Sequence, residues 1–99
     1  MIEIVSALQT WFTNACDGTW EHGQGICIET IDNPGWSVKI DLSGTKLSKK
    51  PFEEIQVNRS ETNWFTCRVQ QNVFEGFGGA SNLSDIIETF LSWDKMSTS

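Results

Sequence analysis

The sequence has no tyrosine, one histidine, two prolines and three cysteines among its 99 residues. With His22 as the lone imidazole, a zinc site would need cysteines or carboxylates to complete it, and neither a Cys-x-x-Cys nor a His-x-x-x-His spacing occurs. No metal or other cofactor is expected. Cys16, Cys27 and Cys67 make an odd set without close pairing, which suits reduced thiols packed as small hydrophobes in a cytosol better than a disulfide framework. Cys16 and His22 could be drawn as a nucleophile and its base, but nothing marks a thiolate. Long apolar runs are missing too. No window approaches eighteen apolar residues, and Met1 to Thr10 carries Glu3 without a basic stretch leading into an apolar one. The chain is expected to be soluble, cytoplasmic and free of membrane contact.

Basic residues are scarce: seven Lys and Arg stand against 13 Asp and Glu, for a formal charge of -6. A phosphate backbone selects the opposite balance, because its binders gather cations to displace counterions. Direct nucleic-acid binding is therefore disfavoured. A basic protein partner is compatible with the charge, and an acidic surface that competes with nucleic acid for such a partner is coherent.

What the chain does have is aromatic bulk. Five tryptophans and six phenylalanines within a 38% hydrophobic composition are enough for a core. At this size only about 60 to 65% of the unfolded surface can be buried, which fits one domain spanning residues 1–99. There is no internal repeat, linker or low-complexity segment.

Ile4, Val5, Leu8, Trp11, Phe12 and Ala15 recur at spacings of three and four, predicting an amphipathic helix over 2–15 that Asp17 and Gly18 terminate. From Trp20 to Asp32 the pattern alternates as a strand does, with Gly23 and Gly25 suggesting a bulge or a close backbone approach. Asn33, Pro34 and Gly35 signal a turn, and Trp36 to Leu42 alternates again. A three-residue loop at that turn sets Ile28 opposite Ile40, Thr30 opposite Val38 and Glu29 opposite Lys39, which segregates apolar from polar positions.

Residues 43–51 read as a loop that holds Lys46, Lys49 and Lys50, three of the seven basic residues, so the acidity concentrates elsewhere. Phe52 to Asn58 and Asn63 to Gln70 read as two further strands. Val73 to Phe77 reads as a short fifth strand at an edge, ended by Gly76, Gly78 and Gly79. Ser81 or Asn82 can cap a last helix with Leu83, Ile86, Ile87, Phe90 and Leu91 at helical spacing, and residues 95–99 are expected to fray. The order implies an α+β fold, an antiparallel sheet of four to five strands with both helices on one face. The other face stays partly open to a partner, and a free edge at the fifth strand leaves the oligomeric state undecided.

Carboxylates are the most plentiful chemical groups. Glu21, Glu29, Asp32 and Asp41 lie in the first hairpin region, and Glu53 and Glu54 follow in the next strand. A glycosidase-like pair would need two of them across a cleft, which this architecture does not offer. The glycines at 76, 78 and 79 precede a helix, where anions can bind, but Phe77 interrupts them and no P-loop lysine follows. No catalytic set emerges. Trp11 and Trp36 belong to core stripes, whereas Trp20, Trp64 and Trp93 are not placed by pattern and are candidates to anchor a partner.

The string Cys16-Asp17-Gly18-Thr19-Trp20-Glu21-His22, with Gly25 to Thr30, Asp32 to Trp36 and Ile40-Asp41-Leu42, resembles the immunity protein 53 family of bacterial polymorphic toxin systems. The family is marked by a Trp-Glu pair, matched by Trp20 and Glu21, and by a Pro-Gly-Trp turn, matched by Pro34, Gly35 and Trp36. Trp11, Phe12, Trp64, Phe90 and Trp93 extend the likeness over most of the chain. The resemblance implies a small cytosolic protein that binds and neutralises a cognate toxin, with no catalytic residues of its own. It transfers neither the toxin's identity nor the contact residues. Joined to the acidity of the chain, it makes Glu29, Asp41, Glu53 and Glu54, then Glu21 and His22, the expected contacts with a basic toxin domain, such as a nuclease. The alternative is a small-molecule or enzymatic site in a pocket near Cys16, Glu21 and His22.

Overall fold

A computed structural model describes residues 3–23, 25–32 and 34–96, with only the backbone of Glu21. Helix α1 runs Ile4–Ala15, opened by the Glu3 carboxylate, which accepts the Val5 N–H at 3.1 Å. Its apolar stripe is narrower than the spacing predicts. Trp11 is buried and Ile4, Ala7, Leu8 and Ala15 are partly so, while Val5 and Phe12 remain exposed at the margins.

After α1 the chain turns about Asp17, whose carboxylate accepts the N–H groups of Thr19 and Trp20, both at 2.9 Å. These bonds hold the Asp17 carboxyl below its usual range, Trp20 contributing more than Thr19. They also coil Trp20–His22 into a short 3₁₀ turn, so the expected strand does not begin at Trp20. Gly25, at φ +58°, then leads into the first strand.

The strands are β1 (Ile26–Ile31), β2 (Gly35–Asp41), β3 (Ile55–Asn58), β4 (Trp64–Gln70) and β5 (Val73–Gly79), followed by α2 (Leu83–Lys95). All neighbours pair antiparallel in the order β1-β2-β5-β4-β3. The first hairpin keeps the expected loop length, but the turn occupies 32–34, one residue earlier than predicted. Ile28 therefore faces Val38 and Glu29 faces Ser37, while Lys39 faces Cys27 and, on its other side, Glu75. The alternation of faces survives, since the pairing moves by an even step. Asn33, part of the turn signal, lies outside the described residues, as do 97–99 of the segment expected to fray.

The fifth strand is central rather than marginal. Its glycines do not break it; they seat the last helix. A Cβ at Gly76 would fall on the Ile86 side chain, so only a bare backbone lets α2 lie this close. α2 packs on β4 and β5, and α1 packs on α2, so both helices share one face of the sheet. Val38, Ile40, Leu42, Phe74, Ile86 and Phe90 are fully buried between them. Edge-to-face aromatic contacts run through this layer, from Trp11–Phe90 at 4.9 Å to Phe74–Phe90 at 5.1 Å and Phe52–Trp93 at 5.0 Å. Such pairs add about 0.5 to 1.5 kcal/mol each beyond burial.

Asn82, 1% exposed, joins three elements at the start of α2. Its amide nitrogen donates to Asn63 Oδ1 at 2.9 Å and Asp85 Oδ2 at 2.7 Å, and its oxygen accepts the Trp64 N–H at 3.2 Å. Among the described residues no helix is long and apolar enough to cross a membrane.

Candidate functional site

The residues of the two sequence motifs are mostly structural. Trp20 is buried, its ring set edge-on to Trp11 at 5.6 Å, and its Nε1–H donates to the Asp41 carbonyl at 2.9 Å. It fastens the 3₁₀ turn to the end of β2. Pro34 is exposed in the turn, and Gly35 runs so close to β5 that a Cβ would collide with the Gly78 carbonyl oxygen. Trp36 donates from Nε1 to the Ala80 carbonyl at 3.0 Å, tying β2 to the entry of α2. The Glu21 side chain lies outside the described residues, and His22 is exposed beside it.

The expected acidic contacts do not form one surface. Glu29 lies on β1 at one edge of the sheet and accepts the Cys27 thiol at 3.2 Å; that bond, with lesser help from desolvation and the carboxylate's charge, pushes the Cys27 thiol pKa up. Asp41 closes β2 and accepts the Ser43 N–H at 3.0 Å. Glu53 and Glu54 precede β3, the opposite edge.

At that opposite edge segment 51–54 lies beside α2, and the two line a groove of about 910 Å³. Its floor is apolar: Phe52, Ile55, Phe65 and Trp93. Glu53 and Glu54 stand on one wall, Glu88 and Met96 on the other, and Met96 is 63% exposed at the mouth. The segment is held to the helix by Trp93, buried in the core, whose Nε1–H donates to the Pro51 carbonyl at 2.9 Å. Lys50 donates to the carbonyls of Trp93 and Met96 and so closes the C-terminal end of α2.

The charge of the groove is one-sided. Arg59 lies 3.8 Å from Asp85, the fourth acid of the lining, and Asp85 also accepts from Asn82. Elsewhere Asp94 is paired with Lys46 at 3.4 Å and Glu75 with Arg68 at 2.7 Å. Among the described residues Glu53, Glu54 and Glu88 form no ion pair. Glu53 and Glu54 are among the contacts expected from the sequence, and the groove adds Glu88 to them. The signal for it was present: Asp85, Glu88, Ser92 and Met96 follow one another at helical spacing, a polar stripe beside the buried one.

Two other surfaces are less polarised. A smaller groove of about 560 Å³ lies between α1, α2 and the loop around Thr45, where Asp94 already serves Trp11 Nε1 at 3.2 Å and Lys46. The open face of the sheet carries Lys39, Glu75 and Arg68 in one cross-strand row, with Arg68 6.0 Å from the Phe77 ring centre. Trp64 also lies on this face, half-buried; of the five tryptophans it alone has no acceptor for its indole N–H among the described residues. Neither of these two grooves is lined by Cys16 or His22. No cluster of three or more His, Cys, Asp or Glu fit to hold a metal occurs among the described residues. Burial lifts the Cys67 thiol to about 11, against a smaller opposing effect of its hydrogen bond with Thr89.

The model of the immunity protein 53 family matches residues 5–95 of the chain. No curated protein and no solved structure matches it.

Proposed function

Since the chain belongs to the immunity protein 53 family, we propose that it neutralises its cognate toxin by laying an acidic surface over a basic one, such as the substrate cleft of a nuclease. An immunity protein of a polymorphic toxin system is a binding partner of its toxin and not an enzyme. The inhibitor acts in the cytoplasm of the producing cell, where an active toxin would do harm. A nuclease cleft is lined with cations to hold phosphates, and a carboxylate-bearing protein competes for them directly.

The observation that carries this reading is the set of three carboxylates without ion pairs, Glu53, Glu54 and Glu88, around an apolar groove. Charge of one sign speeds encounter with an oppositely charged partner, up to about 10⁸ M⁻¹s⁻¹ at low salt, and makes that rate fall as salt rises. Glu29, Asp41 and His22 lie toward the other edge, outside the lining of this groove.

The test is co-expression of this protein with the toxin domain encoded beside it, in cells that the toxin alone kills. Survival, together with a complex that co-purifies and blocks the toxin's activity in vitro, is expected. Cell death with no complex would refute the reading.

A further inference from the structure

We propose that the groove between segment 51–54 and α2 receives a basic amphipathic segment of the toxin, an apolar side chain flanked by Lys or Arg. The proposal rests on the immunity reading and assigns it a place and a recognition chemistry. Glu53 and Glu54 meet the cations from one wall and Glu88 from the other, while the apolar side chain lies on Phe52 between Ile55 and Met96.

Charge and form agree on that occupant. A purely cationic ligand would leave the Phe52 and Ile55 surface wet, and a purely apolar one would desolvate three carboxylates without compensation. A segment with both features satisfies both. Met96, 63% exposed on the helix wall, supplies a flexible thioether that adapts to the shape of an apolar anchor. The walls are set in advance, because Trp93 Nε1 donates to the Pro51 carbonyl at 2.9 Å, so little ordering is needed on binding. The competing surfaces lack the charge match: Arg68 and Glu75 pair at 2.7 Å on the open sheet face, and Lys46 and Asp94 at 3.4 Å beside the smaller groove. Glu88 and Glu53 are both exposed and form no ion pair among the described residues, so both are open to an incoming cation.

The experiment compares full-length variants with equal charge changes: Glu53→Gln with Glu88→Gln in the groove, and Asp32→Asn with Glu61→Gln outside it. Affinity for the isolated toxin domain encoded beside this protein is measured at two salt concentrations. Met96→Ser is measured in parallel for the apolar contact. The groove pair is expected to lose at least tenfold in affinity at low salt and to show a flatter salt dependence, Met96→Ser to lose severalfold at either salt, and the outside pair to stay within twofold of wild type. If wild type binds tightly and the groove pair and the outside pair behave alike, the groove assignment is wrong while the immunity reading stands. If wild type does not bind at all, both fall. Circular dichroism of the exposed-site variants verifies that they are folded.

Discussion

The Trp93 indole N–H donates to the Pro51 carbonyl oxygen at 2.9 Å, across 42 residues of sequence. One side chain thereby sets the spacing between the two walls that carry Glu53, Glu54 and Glu88. The same ring stands edge-on to Phe52 at 5.0 Å, so the groove floor and the core are one packed layer.

Trp93→Phe keeps much of the ring contact but leaves the Pro51 carbonyl without its donor. The loss is expected to be about 1 to 3 kcal/mol, from the unmet acceptor and the smaller ring. Urea unfolding measures it. Toxin affinity is expected to fall as well, because segment 51–54 is no longer fastened to α2.

Gly35→Ala is expected to be among the most damaging single-methyl additions. Its Cβ would fall on a backbone oxygen of β5, which cannot rotate away as a side chain can. The central pairing of β2 with β5 would have to open, at a cost of about 3 kcal/mol or more. A thermal melt that matches wild type would contradict the close approach.

The helices and the alternation of the first hairpin are legible in the sequence, because Trp11 in one and Val38 with Ile40 in the other follow their periods without interruption. The register and the central strand are not. Asn33-Pro34-Gly35 marks a turn without saying which of its residues belong to it, and Gly35 proves to be a strand residue pressed against Gly78. Gly76 and Gly78 read as breakers because a sequence shows what glycine lacks and not that Ile86 lies above it. Trp20-Glu21-His22 alternates like a strand, but two backbone bonds to the Asp17 carboxylate outweigh that local pattern. The lining of the proposed groove is half legible. Glu53 and Glu54 stand out as a charged pair, whereas Glu88 gains its meaning from a helix face that only the packing of α2 defines.

Asn82→Ala removes the amide that joins Asn63, Trp64 and Asp85 at a site 1% exposed. Several partners would lose their bonds at once, and a loss of about 2 kcal/mol or more is expected in urea unfolding. Hydrogen exchange should show the β3–β4 turn and the first turn of α2 loosening together.

Cys67, at zero exposure with its pKa lifted to about 11, predicts an alkaline dependence of stability. The unfolded thiol ionises near about 8.5, so the contribution is fully present below that pH and is lost as pH rises through about 11. Cys67→Ala is expected to flatten this part of the stability–pH curve. In the native protein at pH 8, Cys67 should resist thiol reagents that label it promptly after unfolding.

The most direct measurement is hydrogen exchange of the full-length protein with and without its toxin domain. Protection is expected to rise in residues 51–55 and along 85–96, with the β1 edge and the 3₁₀ turn at Trp20–His22 unchanged. Protection confined to that turn and β1, with the groove exchanging as in the free protein, would contradict the account.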